Sequence, residues 1–212
     1  MTLNKPTSPP CGIYVRIDDF SDMQAIITSF RQMAMVINRT SDYEKNMHVV
    51  ELVCDASDSK VVERITDLVP LMQSQGIVAI VSGKMDDFEC YGADGILLEN
   101  PDEIKCAREK LGDDAIIGLT CGASKDSPKG IDYVTLNADP SLISGHCSKT
   151  DIICVAMGDH ITKDNCVVLA RAGASFVEVS DYIFNYEKGT MQATVNILDA
   201  LERAAQVPKS LN

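Results

Sequence analysis

Five apolar runs of similar length recur along the chain, each ending in a polar or small-residue turn: residues 49–53, 77–81, 116–120, 152–156 and 176–180. A strand buried on both faces has no need of polar alternation. Continuous β-branched runs with helical stretches between them therefore predict a parallel sheet covered by helices. Three further strands fit residues 12–17, 95–98 and 132–136. Between them, Met23, Ile26, Ile27, Phe30, Met33, Ala34 and Ile37 recur at helical spacing, which predicts a helix over 21–37 with Ser21 as N-cap. Further helices are predicted over 59–75, closed by Gly76, over a short span near 85–91, from Asn100-Pro101-Asp102-Glu103 to about 112, and over 163–172 and 188–205. Residues 121–131 hold at most one helical turn, less than a regular crossover requires.

Eight strands alternating with helices or short connectors predict a single closed (β/α)₈ TIM barrel, all strands parallel, over residues 12–206. Residues 1–11 read as a flexible lead-in and 207–212 as a tail. An open doubly wound sheet would carry GxGxxG after strand one, where this chain has Ile17-Asp18-Asp19. In a barrel the residues just past the strand C-termini build the site, so those turns carry the functional reading.

Charge narrows the partners. The 212 residues carry a formal net charge of −12 and no Lys/Arg-rich run, which disfavours nucleic acid and anionic membrane surfaces. No apolar run approaches the roughly 20 residues that span a bilayer. Residues 1–10 are polar and proline-rich, unlike a signal peptide or anchor, so a cytoplasmic protein is expected. The eight cysteines include no CxxC and the three histidines are scattered, which predicts reduced thiols and no zinc site. Cys54, Cys106, Cys154 and Cys166 fall in predicted elements, whereas Cys121 follows a strand and is the one open to reactivity.

Several turns, taken together, resemble the thiamine phosphate synthase family. Gly92-Ala93-Asp94-Gly95-Ile96-Leu97-Leu98 with Asp102 is similar to that family's Ala-Asp-Gly-Val-His-Leu-Gly-Gln-x-Asp segment. Ala107-Arg108-Glu109-Lys110-Leu111-Gly112 and Ile116-Ile117-Gly118-Leu119-Thr120 resemble its next helix and strand end. Asp132-Tyr133-Val134, Val155-Ala156-Met157-Gly158 and residues 172–180 follow in the same order. The resemblance implies a magnesium-dependent joining of two phosphorylated halves. Hydroxymethylpyrimidine diphosphate loses pyrophosphate, and a thiazole phosphate nitrogen attacks the methylene left behind. Such chemistry asks for carboxylates on Mg²⁺, basic and backbone donors for pyrophosphate, and a glycine-rich phosphate cup.

The resemblance carries over position by position. Asp102 matches a metal-binding carboxylate, although an Asp in a first helical turn also complements the helix dipole. The second metal carboxylate belongs to an Asn-Asp pair that is Ser82-Gly83 here, with Asp86 one turn on as the substitute. Lys84 keeps a basic position and Thr120 stands for a pocket-lining Ser. Gln-x-Arg-x-Lys becomes Glu51-Leu52-Val53-Cys54-Asp55, which puts anions where a diphosphate would lie. A Thr-x-Thr-Lys loop becomes Asn137-Ala138-Asp139-Pro140, leaving Lys149 as a distant stand-in. Gly158, Ser180 and the backbone of Asp181-Tyr182 match the phosphate cup, with Asp159 and Asp181 adding negative charge and His160 a titrating or solvent-facing loop residue.

Two functions follow. One is a synthase with a remodelled site, Mg²⁺ on Asp102 with Asp86 or Asp55. The other is a catalytically inactive paralogue that binds a phosphorylated ligand or regulates. Expected partners are small phosphorylated molecules, and the expected assembly is a homodimer. A Schiff-base aldolase or isomerase would need a buried lysine ending a strand, and no predicted strand ends in Lys.

Overall fold

The computed structural model describes residues 11–39, 48–85, 87–123 and 128–206. Its elements run β1 (Gly12–Ile17), α1 (Met23–Arg39), β2 (Val49–Asp55), α2 (Ser59–Gln73), β3 (Val78–Lys84) and β4 (Gly95–Leu98). A 3₁₀ turn (Pro101–Glu103) then leads into α3 (Ile104–Leu111), followed by β5 (Ile116–Gly122), β6 (Tyr133–Asn137) and α4 (Pro140–Cys147). The chain continues with β7 (Ile153–Met157), α5 (Cys166–Ala172), β8 (Phe176–Glu178), α6 (Ser180–Asn185) and α7 (Thr190–Gln206). Each strand pairs in parallel with the next and β8 closes on β1, giving the eight-stranded barrel that the sequence predicts. Of the expected lead-in 1–11, Cys11 is buried in the core rather than flexible, while residues 1–10 and the tail 207–212 lie outside the described residues.

Local chemistry moves several boundaries. Asp22, not Ser21, caps α1, because its side chain accepts the Ala25 N–H at 2.9 Å while the Ser21 N–H is held by Asp19. Among the described residues no helix links β3 to β4. Asp87, Phe88 and Tyr91 have φ of 52°, 60° and 50°, a left-handed backbone that no right-handed helix tolerates. Helix α4 is a helix that the hydrophobic pattern misses. Its start is nevertheless written in Asp139-Pro140, since the Asp139 carboxylate accepts the Ser141 and Leu142 N–H groups at 2.7 and 3.1 Å. Strand β8 stops at Glu178 rather than 180, and Ser180 already begins α6. Strand β3 runs on to Lys84, so a strand does end in lysine; that lysine is exposed rather than buried.

Alternation along the strands divides the apolar side chains into two cores. One lies between sheet and helices, with Ile13, Val50, Leu52, Ile96 and Val134 among its members. The other fills the barrel from Tyr14, Val49, Ile80, Leu97, Tyr133, Val155 and Phe176. The base, at the strand N-termini, is braced by the resemblance motifs themselves. Asp94 accepts the Ala79 N–H at 2.7 Å, and Asp132 accepts the Ile117 N–H at 2.8 Å. Arg108 ties Asp132 (2.8 Å) to the carbonyls of Gly112, Ala115 and Gly130. Gly95 sits so close to β5 that a Cβ would fall 1.9 Å from the Ile116 carbonyl oxygen.

Candidate functional site

The strand that carries Tyr14 inward also carries Arg16 inward two residues later, and the same period brings Glu51 in after Val49, Ser82 after Ile80 and Glu178 after Phe176. These side chains meet at the C-terminal mouth. Glu51 is 2% exposed and fully partnered: one oxygen accepts the Tyr14 hydroxyl at 2.9 Å, the other accepts the Ser82 hydroxyl at 2.5 Å. Arg16 Nε lies 3.6 Å from that second oxygen, with 43% of the Arg16 side chain open to solvent. Glu178 accepts both the backbone N–H of Ser180 (2.8 Å) and the Ser180 hydroxyl, whose oxygen in turn accepts the Arg16 N–H at 2.6 Å.

Burial sets the electrostatics. It raises the pKa of Glu51 above that of an ordinary carboxyl despite the opposing pull of Ser82, Arg16 and Tyr14. It raises Glu178 in the same way, against the Ser180 bonds, with the Glu51 charge adding to the rise. Tyr14 is pushed up by burial first, then by Tyr133 and Glu51. The buried Tyr133 hydroxyl lies near enough to Tyr14 to contribute to that shift, yet completes no well-formed hydrogen bond among the described residues. The mouth is thus a buried Tyr–Glu–Arg–Ser network beside a second, half-buried carboxylate. It can present one cation, the half-exposed Arg16, to a ligand.

Arg16, Tyr14 and Glu178 are the residues that the turn-by-turn reading misses. Their signal was present, because Arg16, Glu51 and Glu178 are charges embedded in apolar strands, where an unpaired charge is expensive. Arg16 also corrects the view of the mouth as anionic only. The charge expected to repel at Glu51 is sunk below the rim and faces a guanidinium.

The predicted residues separate. Ser180 joins the network, and Thr120 lies exposed near the end of β5, on the face it shares with Gly118. Lys84 ends β3 exposed, opposite Asp55 in the ladder; Asp55 itself is occupied by the Ser57 hydroxyl (2.6 Å) and N–H (3.1 Å). Gly158 follows β7 and is exposed. Neighbouring His160 has φ 59°, and its Nδ1 pairs with Asp181 at 3.1 Å, both side chains more than half exposed. Asp181 is lowered by Asn185 first and His160 second. Lys149 does not reach the site. It follows α4, which starts at the mouth after β6 and runs back toward the base, so this lysine is exposed at the opposite end of the barrel. Cys121 lies within β5 at a register shift, and burial raises its thiol pKa, the reverse of an activated thiolate.

Magnesium has no ready-made protein cage among the described residues. No group of three His, Cys, Asp or Glu side chains among them could hold a metal ion. Asp102 is exposed in the 3₁₀ turn, with its N–H capped by Asn100 at 3.0 Å. Gly83 cannot be replaced by a carboxylate, since φ is 89° and a Cβ would meet the Cys54 carbonyl oxygen at 2.5 Å. Asp86 lies outside the described residues. Beside the mouth, a cleft of about 230 Å³ is lined by Gly83, Phe88, Leu97, Glu99, Asn100 and Glu103, with no basic side chain among its lining residues.

No family model matches the chain. It is similar to the thiamine-phosphate synthase of Rhodospirillum centenum, 28% identical over 161 residues, which are 67% of this chain and 77% of that protein. The thiamine-phosphate synthase of Hyphomonas neptunium is 33% identical over 150 residues, 62% of this chain and 67% of that protein. Among solved structures, a thiamine phosphate pyrophosphorylase from Pyrococcus furiosus superposes with a TM-score of 0.72 at 18% identity, covering 93% of this chain and 98% of that one.

Proposed function

The chain belongs to the thiamine-phosphate synthase family, and on that footing we propose that it serves thiamine biosynthesis as a divergent member that binds a small pathway molecule without joining the two phosphorylated halves. The observation that carries this reading is the internal anion at strand eight. The N–H and hydroxyl of Ser180, at the position matched to the phosphate cup, are both taken by Glu178. A phosphate arriving there would have to displace a carboxylate of the same sign from donors that it already satisfies.

Two further features support it. Glu51 stands where the resemblance expects a neutral Gln, and Val53 and Asp55 stand where it expects cations, so a diphosphate has lost two of its counter-charges. The donor set for a Mg²⁺–diphosphate clamp is reduced to Asp102 and the undescribed Asp86. In this reading Arg16 meets the ligand, the buried Glu51, Tyr14 and Ser82 hold it in place from below, and Thr120 lines the rim.

A second reading is favoured by Arg16 and Lys84, two cations at the mouth: an active synthase whose counter-charges have moved to other strands. Pyrophosphate release separates them. With hydroxymethylpyrimidine diphosphate, thiazole phosphate and Mg²⁺, the expected result is no turnover above the protein-free rate. Release that falls on Arg16→Ala or Asp102→Ala would instead establish the synthase.

A further inference from the structure

At the base of the barrel, opposite the mouth, six strands open with a side chain that borders the same space. These are Val49, Val78, Ile116, Tyr133, Ile153 and Phe176, the first residues of β2, β3, β5, β6, β7 and β8. Strands β1 and β4 begin instead with Gly12 and Gly95, in the inward register of Tyr14 and Leu97. Two places in the ring that would plug the base therefore carry no side chain, and a cavity of about 190 Å³ is left. Tyr14, whose hydroxyl donates to Glu51, forms its ceiling and separates it from the mouth. Ile153, 41% exposed, stands at its opening.

The lining is chemically one-sided. Apart from Asp132, every described lining residue is apolar or a tyrosine, and none is basic. Asp132 is already held by the Ile117 N–H and by Arg108. Tyr14 spends its proton on Glu51, which leaves the buried Tyr133 hydroxyl, without a partner among the described residues, as the one side-chain donor of the lining. A water there would find one such partner where it needs roughly two to four, whereas an apolar cavity of about 150 Å³ stays dry and admits benzene. An anion would give up its hydration for a carboxylate neighbour and no cation.

From this cavity we propose a second binding site, at the base of the barrel, for a small neutral ring compound that carries a single hydrogen-bond acceptor. The ring packs against the apolar lining, and its acceptor takes the Tyr133 O–H, which satisfies a polar group that the fold leaves unpaired. The site is independent of what the mouth binds and of whether the family reaction is retained.

The test uses the full chain and flat probes of matched size: acetophenone, α-methylstyrene and benzoate, which carry a carbonyl, a methylene and a carboxylate on similar frames. Each is titrated by ligand-detected NMR. The wild-type protein is expected to bind acetophenone and α-methylstyrene saturably and in competition, and to ignore benzoate. Tyr133→Phe removes only the donor, so acetophenone should weaken by about fivefold while α-methylstyrene is unchanged. Ile153→Trp, at a position exposed enough to take a larger side chain, should block both. If one variant does not fold, the other and the wild-type competition still decide. No binding of acetophenone to the wild-type protein, benzoate bound as tightly as acetophenone, binding that survives Ile153→Trp, or acetophenone affinity unchanged in folded Tyr133→Phe would each overturn the proposal.

Discussion

At the base of the barrel, Asp94 and Asp132 each accept a backbone N–H of the neighbouring strand, and Arg108 clamps three carbonyls besides Asp132. At the mouth, Glu51 and Glu178 accept hydroxyls, one backbone N–H and the approach of one guanidinium, and burial still raises both pKa values. The base therefore uses its carboxylates to satisfy backbone groups that would otherwise be orphaned, which favours the fold. The mouth holds carboxylates against the cost of desolvation, which works against the fold and is consistent with the binding role proposed above. The motifs that resemble the family lie at the base, in Asp94-Gly95, Arg108 and Asp132, whereas Glu51, Asp55 and Ser82-Gly83 lie at the mouth.

The largest effect should come from crowding the base. Gly95→Ala puts a methyl 1.9 Å from the Ile116 carbonyl oxygen in a strand pair that cannot move apart without opening the barrel. A loss of more than about 3 kcal/mol is expected, read as a fall in the urea midpoint. Next in size is an acid effect from His48. Its Nδ1 accepts the Ile13 N–H at 3.2 Å and its Nε2 is buried without a partner among the described residues; burial lowers its pKa to about 4 from 6.5. Between those values the unfolded chain binds a proton that the folded chain refuses. Stability is full above 6.5 and falls by about 3 kcal/mol as pH drops to 4. Glu51 and Glu178 act in the opposite direction. Their folded pKa values lie above the unfolded 4.5, so the stability they contribute is full below 4.5 and is lost as pH rises through the folded values. Urea unfolding at stepped pH should show the acid loss shrinking in His48→Asn and steepening in Glu51→Gln.

A paired substitution sharpens the contrast between the two ends. Asp132→Asn keeps an acceptor for the Ile117 N–H but removes the charge facing Arg108, and should cost about 1–2 kcal/mol at neutral pH. Glu51→Gln also removes one charge. There desolvation outweighs the partners, so stability should stay within about 1 kcal/mol of wild type or rise slightly. Equal losses at both ends would break the comparison.

The sequence made the barrel legible because buried parallel strands leave continuous apolar runs, and all eight appear where those runs lie. The β3–β4 helix went wrong because residues at Asp87, Phe88 and Tyr91 take left-handed backbones that no propensity announces. Helix α4 was missed because its first turn, Asp139-Pro140, reads equally as a loop. The turn after strand eight points to Ser180, which lies beside Glu178 and Arg16; a reading confined to residues beyond the strand ends overlooks Arg16 and Glu178, whose side chains reach the mouth from within. Lys149 failed for a related reason: closeness to a strand in sequence does not say at which end of the barrel a residue emerges.

The smallest effect is expected at the rim. His160 and Asp181 form a hydrogen-bonded pair at 3.1 Å, but their side chains are 85% and 54% exposed, so water competes for both and the pair is screened. Asn185 already holds the other Asp181 oxygen at 2.7 Å and is the larger cause of its lowered pKa, so the carboxylate keeps a partner when the imidazole is removed. His160 itself takes a left-handed backbone at φ 59°, which an alanine adopts only with some strain. His160→Ala should therefore change stability by no more than about 1 kcal/mol, and His160→Gly, which relieves the backbone, by less. If chemical denaturation found His160→Gly costing as much as Asp132→Asn, the rim would be part of the scaffold, and the division between a braced base and a binding mouth would fail.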